Sequence, residues 1–351
     1  MINRISTNQQ DIISSKEEQL IKNVLEKYSL VTTNIYKSRS AYKVCTDKGT
    51  FCLKRMKHGI QKAANGNILV EELMKQNFMQ VPKYIKTTRG DIYVKSKKMI
   101  FYVTEWIDGK ECDFGDIEEA KNCIKLLSKF HIASSHMDMK GLKIKNSLKN
   151  WPSIFNENIQ DLSRYKRIIE SKRLKNEFDI AYYQCIEDNI KRGITTLDLL
   201  KASEYSNISR EALDKKTLCH DSFYYQNVLK KDGEYFLVDL DSIIIDLHVK
   251  DLGKMIRRLM FKNEYRWDFS KAQQFIEAYN EDNKLSKAEL EIMLALIVFP
   301  HKFWKLGRKR YDKHKNWTEF KYMHKLDSLL KYNELQEIFL KDYLNYLTYY
   351  V

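Results

Sequence analysis

The feature that most restricts the fold of this chain is residues 216–245, a stretch of strands and loops within a region that otherwise has helical spacing. It reads TLCHDSFYYQNVL, then a turn at Lys231-Asp-Gly233, then YFLVDLDSIII. Apolar runs on both sides of a glycine-containing turn predict a hairpin. We therefore expect a mostly helical region interrupted by one hairpin that carries function.

The region after Gly109 has apolar residues at three- and four-residue intervals, which predicts helices. The predicted helices are 116–135, 153–170, 174–192, 194–203, 252–262, 270–280, 286–298 and 318–348.

Before Gly109, the spacing of the apolar residues changes several times between helical and strand-like. A possible capping box at Ser15-Lys-Glu-Glu18 begins a predicted helix, and short alternating runs predict strands around a second helix. The predicted helices are 15–29 and 66–77, and the predicted strands are 31–36, 41–46, 50–56, 91–95 and 99–106. This order predicts a small α+β lobe.

The length of 351 residues is enough for two lobes with packed cores. We expect an N-lobe of residues 1–106, with a leading helix, an antiparallel sheet and one helix packed on it. A helical C-lobe of residues 107–351 would carry the hairpin. With 3 Pro and 11 Gly in no flexible run, the lobes should be joined by a short hinge.

The net charge of +14 raises the possibility of nucleic-acid binding. However, 61 basic residues are interspersed with 47 acidic ones, and no nucleic-acid-binding motif accompanies them. The densest basic stretch, Lys305–Lys315, has the pattern of a solvated helix face. We expect general attraction to acidic partners and no specific nucleic-acid site.

The cysteines and the apolar pattern indicate where the chain is made. Six scattered cysteines without zinc spacing favour reduced structural thiols. The N-terminus lacks the apolar centre of a secretory signal, and no window is apolar enough to span a membrane. We expect synthesis in the cytosol.

Kinase-type phosphoryl transfer requires a lysine for the nucleotide phosphates and a helix carboxylate that orients it. Lys54 ends the strand-like run Thr50-Phe-Cys-Leu-Lys54, where an ATP-contacting lysine would lie. Glu71 and Glu72 of the predicted helix 66–77 are the candidate partners, and Glu72 is slightly favoured. The alternatives are an exposed strand lysine and two solvated glutamates.

The run Thr104-Glu-Trp-Ile107 ends a predicted strand at the junction of the two lobes. Backbone groups at Glu105 and Trp106 could receive the edge of an adenine ring. The alternative is an ordinary sheet edge.

Two oxygen-bearing residues of the hairpin predict a metal site. Asn227 follows His220 by seven residues, and Asp239 ends the apolar strand that comes after the turn. Hard cations prefer such oxygen ligands, and Mg²⁺ usually keeps several waters beside them. The sequence therefore predicts a magnesium site at Asn227 and Asp239.

The spacing of these residues resembles the signature of aminoglycoside- and choline-kinase-like phosphotransferases. The matching elements are His220 with Asn227, VDLD at 238–241 and Asp251-Leu252. The chain resembles more closely the CotS family of bacterial spore coat proteins, which shares that fold. The resemblance runs through FCLKR at Lys54, Glu105–Gly109, Leu127–His131, Phe178-Asp179, 218–229, 238–258, Lys302–Leu306 and Tyr311.

The resemblance implies a bilobal protein-kinase-like α+β fold and a spore coat location with coat proteins as partners. It implies ATP and Mg²⁺ as cofactors, with Asn227 and Asp239 as metal ligands and Lys54 as the phosphate contact. His220 would brace the catalytic loop by hydrogen bonding. Asp241, His131 and Asp251 would be structural, the last as an N-cap.

Two positions depart from the family pattern. Ser222 stands where the catalytic aspartate belongs, and Asp221 occupies the preceding place. The segment Lys37–Ala41 between the first strands has no glycine, so backbone amides approach phosphates less freely; Arg39 or Ser40 would have to substitute.

These departures leave two functions open. The favoured one is a coat-assembly protein with a weakened or inactive phosphotransferase site, a pseudokinase. The alternative is an active ATP/Mg-dependent kinase that phosphorylates a small hydroxyl compound or a coat protein, with Asp221 as the base.

Overall fold

The structure is a computed structural model that describes residues 13–57, 59–144, 148 and 150–350. The chain forms two compact units. The first contains the described residues up to Glu111, together with His136–Ile144 and Gln226–Ser242. The second contains the described residues of Cys112–Ser135, Lys145–Tyr225 and Ile243–Val351.

The first unit begins with helix α1 and is built around a six-stranded antiparallel sheet. Its elements are α1 (Ser15–Leu25) with a 3₁₀ turn (Glu26–Tyr28), β1 (Thr32–Ser38), β2 (Ala41–Thr46), β3 (Gly49–Met56), α2 (Ile60–Lys75), β4 (Tyr84–Ile85), β5 (Val94–Ser96), β6 (Met99–Glu105) and β7 (Lys110–Glu111). The sheet order is β1-β2-β3-β6-β4, and β5 also pairs with β6. Ile21, Leu25, Val44, Leu53 and Phe101 form part of the core between α1 and the sheet.

Helix α1 begins at Ser15 as predicted, but its N-cap lies one residue before the predicted capping box. The cap is Ser14, whose side chain accepts a hydrogen bond from the Glu17 amide. This satisfies one of the free amides that every helix start presents.

Helix α2 begins at Ile60, earlier than the predicted start at 66, and Gly66 lies inside it. A Cβ at Gly66 would lie 2.1 Å from the Tyr84 Oη. The glycine therefore allows the tyrosine to approach the helix backbone, and it does not mark a helix boundary.

The hairpin of β9 (Val228–Lys231) and β10 (Glu234–Leu237) pairs with β7. Asp232 and Gly233 form its two-residue turn, with φ of 51° and 83°. Positive φ at both positions is the geometry that hairpin turns favour. Because β9 pairs with β7 and the Leu237 amide donates to the Gln80 carbonyl, these strands belong to the first unit. The sequence had assigned them to a lobe of residues 107–351.

The second unit is mainly helical. Its helices are α3 (Ile117–Ser135), α4 (Trp151–Ser171), α5 (Glu177–Ala202), α6 (Tyr205–Asp214), α7 (Val249–Met260), α8 (Phe269–Asn280), α9 (Lys287–Val298), α10 (His301–Tyr311), α11 (Glu319–Leu330) and α12 (Asn333–Tyr349). A small pair of strands, β8 (Leu218–Cys219) and β11 (Ile244–Ile245), precedes α7.

Several predicted helix boundaries were wrong. Helix α5 runs without a break through Gly193, where a Cβ would lie 2.9 Å from the Ile159 side chain. The predicted helix 318–348 is instead two helices, α11 and α12, separated at Lys331 and Tyr332. Helix α6 was not predicted.

The basic stretch at Lys305–Lys315 is only partly a solvated face. Helix α10 exposes Lys305 and Arg308 but buries Leu306 and Tyr311. Among the described residues, every helix is too short or too polar to cross a membrane.

Candidate functional site

Lys54 lies in the middle of the first unit's sheet, on β3 between β2 and β6. Its ammonium group forms an ion pair with Asp239 Oδ1 and lies 3.8 Å from Asp241 Oδ2. Burial by itself would lower the pKa of Lys54, but the charges of Asp241 and Asp239 raise it above its ordinary value. The lysine is therefore held as a cation.

Asp241 was predicted to have a structural role, but it also lies beside the ammonium group of Lys54. Its carboxylate accepts a hydrogen bond from the Tyr102 hydroxyl at 3.1 Å. Burial raises the pKa of Asp241, while the charge of Lys54 lowers it and that of Asp239 raises it. Two carboxylates thus share one partly buried ammonium group.

Asp239 and Asn227 are brought together by the hairpin. The Val238 amide donates to the Asn227 carbonyl at 3.0 Å. Asp239 follows with φ of 68°, a left-handed conformation that is uncommon for residues other than glycine. Unusual backbone of this kind occurs at sites where a side chain must point in one direction.

A cavity of about 270 Å³ contains these groups, and all of its lining residues belong to the first unit. Lys54, Asn227 and Asp239 line it, as do Glu105 and Trp106. These five predicted site residues therefore meet at one place. Oxygen donors beside a lysine fit a magnesium ion with a phosphate-bearing ligand.

The glycine-free turn between β1 and β2 also lines the cavity, through Arg39 and Ser40. Arg39 has φ of 54° and forms an ion pair with Glu111, which lines the same cavity. An arginine thus stands where a glycine-rich loop would offer backbone amides.

The predicted pairing of Glu72 with Lys54 is not formed. Glu72 binds Lys75 at 2.5 Å, and Glu71 binds Lys86 at 3.1 Å. Each glutamate forms an ion pair with a different lysine, while the carboxylates that follow β10 lie beside Lys54. Asp239 and Asp241 take the place of the expected helix carboxylate.

Glu105 and Trp106 have partners of their own at the cavity edge. The Lys83 amide donates to Glu105 Oε2 at 3.0 Å, and the Glu105 amide donates to the Lys83 carbonyl at 2.9 Å. The Trp106 indole donates to Asp108 at 3.4 Å, and the ammonium of Lys43 lies 5.1 Å from its ring centre. Both residues are thereby fixed where the chain leaves β6.

The loop of His220, Asp221 and Ser222 belongs to the second unit and is held by Asp251. The Asp251 carboxylate accepts the amides of His220 at 2.6 Å and of Asp221 at 2.9 Å. The prediction that Asp251 caps the following helix was wrong. Helix α7 begins at Val249, so Asp251 lies inside its first turn and its carboxylate is used by the loop.

Asp221 itself is bound by two lysines of α7. Its Oδ1 lies 2.8 Å from the ammonium of Lys254 and 3.0 Å from that of Lys250. Burial would raise the pKa of Asp221, but the hydrogen bond and charge of Lys254, with those of Lys250, lower it to about 2. A carboxylate held in this way is a poor proton acceptor at neutral pH.

His220 and Ser222 contact each other within the loop, with 3.2 Å between His220 Nδ1 and the Ser222 hydroxyl. His220 is fully buried. This contact agrees with the predicted role of His220 in bracing the loop by hydrogen bonding. It also means that the Ser222 hydroxyl contacts an imidazole and not a carboxylate.

His131 is a buried residue of α3. One ring nitrogen lies 2.7 Å from the Tyr279 hydroxyl and the other 3.4 Å from Asp251 Oδ2. Its ring stacks on that of His248 at 4.0 Å. His131 therefore supports Asp251, which in turn supports the loop.

Lys250 and Lys254 were not identified from the sequence. They are four residues apart in VKDLGK, so they lie on the same face of the helix. The signal that could have found them is Lys254, which follows Asp251 by one helical turn and is therefore placed to bind a nearby carboxylate.

Comparison with known proteins decides the family. The family described as "Spore coat putative kinase YutH" matches residues 21–343. The chain belongs to this family. Spore coat protein S of Bacillus subtilis (strain 168) is 25% identical over 331 residues, which cover 92% of this chain and 93% of the relative. The predicted spore coat family and spore coat location are confirmed.

Solved structures confirm the fold. An aminoglycoside phosphotransferase from Alicyclobacillus acidocaldarius subsp. acidocaldarius DSM 446 superposes with a TM-score of 0.85 at 18% identity, covering 99% of this chain and 100% of that one. Spectinomycin phosphotransferase superposes with a TM-score of 0.59 at 16% identity, covering 92% and 97%. The family member therefore has the predicted kinase-like α+β fold, with a sheet-containing N-terminal part and a larger helical C-terminal part.

Proposed function

We propose that this spore coat family member acts in coat assembly through a nucleotide-binding kinase-like fold whose phosphotransfer is weak or lost. The observation that carries the proposal is the double lysine contact of Asp221. With Ser222 in the aspartate position and Asp221 held as an anion, the loop offers no effective general base. Loss of such a base costs about 10²- to 10⁴-fold in rate.

Nucleotide binding is proposed for the first unit. Lys54, Asn227 and Asp239 line one cavity, and their donor set fits a metal-bound phosphate chain. Asn227 and Asp239 would hold the magnesium ion, and Lys54 would contact the phosphates. When bound, the ion would neutralise phosphate charge. Kinase-like relatives support this, since structures exist of spectinomycin phosphotransferase with ADP and of an amicoumacin kinase with AMP-PNP and Ca²⁺.

Thermal denaturation tests nucleotide binding. Magnesium AMP-PNP should raise the melting temperature of the wild-type protein, because a ligand that binds only the native state stabilises it. Lys54→Met should abolish the rise. Lys48→Met, at an exposed turn, is the matched control and should keep it. A wild-type protein that shows no rise would refute nucleotide binding.

Turnover tests the catalytic half of the proposal. We expect ATP hydrolysis or phosphate transfer far below the roughly 1–100 s⁻¹ of typical kinases. Turnover within that range that disappears in Asp239→Asn would favour the alternative, an active kinase for a small hydroxyl compound or a coat protein.

A further inference from the structure

A second, much smaller cavity lies in the second unit, where α10 begins. Its volume is about 20 Å³, and its lining includes Arg192, Arg257, Trp267, His301 and Lys302. None of the residues that line it is acidic. Lys302 and Phe303 of the Lys302–Leu306 segment form part of this wall, and the phosphotransferase function assigns no role to that segment.

Two cations of this wall have no carboxylate partner among the described residues. The Arg257 guanidinium donates to the Leu296 carbonyl at 2.9 Å, and the Lys302 ammonium lies 3.4 Å from the centre of the Phe261 ring. In the part of the chain that the structure describes, neither forms an ion pair with a carboxylate. Arg192 differs, because it pairs with Glu337 at 2.7 Å.

The missing counter-charge is reflected in the titration of both groups. Burial, followed by the charges of Arg257, Arg258 and Lys325, lowers the pKa of Lys302 to about 7. Burial and the charge of Arg258 lower the pKa of Arg257 to about 10. A nearby negative charge would favour the protonated form of each.

Two further groups favour an anion at this place. Trp267 is 3% exposed, and its indole N–H has no acceptor among the described residues. A buried donor without a partner is costly. Helix α10 starts at His301, and Pro300 provides no side-chain cap. A helix N-terminus without a side-chain cap carries partial positive charge.

We propose that this cavity is a halide site that takes chloride. The small volume of about 20 Å³ favours a monatomic ion over the larger phosphate, sulfate and carboxylate ligands. The ion would accept the Trp267 N–H and balance Lys302 and Arg257. The site therefore stabilises the start of α10 against α7 and the Trp267 turn, independently of nucleotide binding.

Thermal denaturation of the full chain tests the proposal. Replacing sodium gluconate by sodium chloride at constant ionic strength should raise the melting temperature by about 2 °C, with saturation as chloride increases. Sodium bromide should act similarly. Equal melting temperatures in gluconate and chloride would overturn the proposal, as would a larger rise in phosphate than in chloride.

Two variants locate the effect. Lys302→Met removes a cation that burial already disfavours, so it should fold and lose the chloride response. Lys305→Met changes an exposed lysine of the same helix and should keep it. An unchanged chloride response in Lys302→Met would refute the site.

Crystals soaked in bromide give a direct readout. An anomalous peak within hydrogen-bonding distance of the Trp267 Nε1 is expected. A water at that position in bromide-soaked crystals would show that the donors are satisfied by solvent alone, which would also refute the proposal.

Discussion

Lys254 contacts Asp221 twice with one ammonium group, at carboxylate Oδ1 over 2.8 Å and at the main-chain carbonyl. Asp221 has φ of 61°, a left-handed backbone conformation, and the two contacts with Lys254 stabilise it there. These contacts make the carboxylate after His220 a structural anion.

Asp221→Asn should therefore destabilise the protein by about 1–3 kcal/mol. Breaking a buried ion pair costs about 3–5 kcal/mol, and a carboxylate that is 33% exposed loses less because solvent screens it. Urea denaturation measures the change. Glu118→Gln removes the exposed partner of Lys121 and should cost under about 0.5 kcal/mol. Equal losses in the two variants would contradict the structural role of Asp221.

The same variant predicts a pH dependence. The pKa of Asp221 lies at about 2 in the fold, below its ordinary value of 3.8. The paired carboxylate therefore stabilises the protein fully above about pH 4, and this contribution is lost as the pH falls towards 2. The difference in unfolding free energy between wild type and Asp221→Asn should shrink over that interval. A constant difference from pH 5 to pH 2 would be inconsistent with a depressed pKa.

Ser222→Asp should raise ATP turnover by about 10²- to 10⁴-fold if the missing base is what limits the reaction. A coupled assay for ADP release measures this. Ser206→Asp places the same charge at an exposed position of α6 and should leave turnover unchanged. The same low turnover in both variants would indicate that another part of the chain limits catalysis.

Asp251→Asn should loosen the loop and destabilise the protein by about 2–4 kcal/mol. The carboxylate is 1% exposed and accepts two loop amides, and an amide side chain provides only one oxygen in its place. Hydrogen exchange at His220 and Asp221 should quicken. Asp327→Asn, at an exposed position of α11, is the control and should leave both amides protected.

Gly307→Ala should destabilise the second unit by about 1–3 kcal/mol through overpacking. The added Cβ would lie 2.3 Å from the Tyr182 Oη and 2.8 Å from a ring carbon of Tyr165. Urea denaturation measures the loss. In a Tyr182→Phe background the cost should fall, because the clashing oxygen is absent. An equal cost in both backgrounds would place the strain elsewhere.

The sequence located the cavity residues because each carries a local signal. Lys54 lies on a strand after a hairpin, and Asp239 follows another strand, twelve residues after Asn227. The hairpin turn was likewise predictable, since glycine adopts positive φ without steric cost and aspartate tolerates it better than most residues.

Side-chain partners were harder to predict. The choice between Glu72 and the two aspartates for Lys54 depends on a pairing across 185 residues, which no local pattern records. Glu72 instead forms an ion pair with Lys75, three residues further along the same helix. The contacts of Asp221 with Lys250 and Lys254 depend in the same way on tertiary packing.

Glycine was the other source of error. Gly66 and Gly193 were interpreted as helix boundaries, yet both lie inside helices. At each position a neighbouring side chain occupies the space that a Cβ would fill, so the glycine serves close packing. The strands β4 and β7 have two residues each, which is too short for alternation to be detected.

The sharing of Lys54 by Asp239 and Asp241 has a consequence for the order in which ligands add. One positive charge facing two carboxylates leaves an excess of negative charge, which repels a bare triphosphate and attracts a divalent cation. Metal-free ATP should therefore associate slowly, and nucleotide that arrives already complexed with magnesium should associate faster. The metal concentration would thereby control the rate of nucleotide capture.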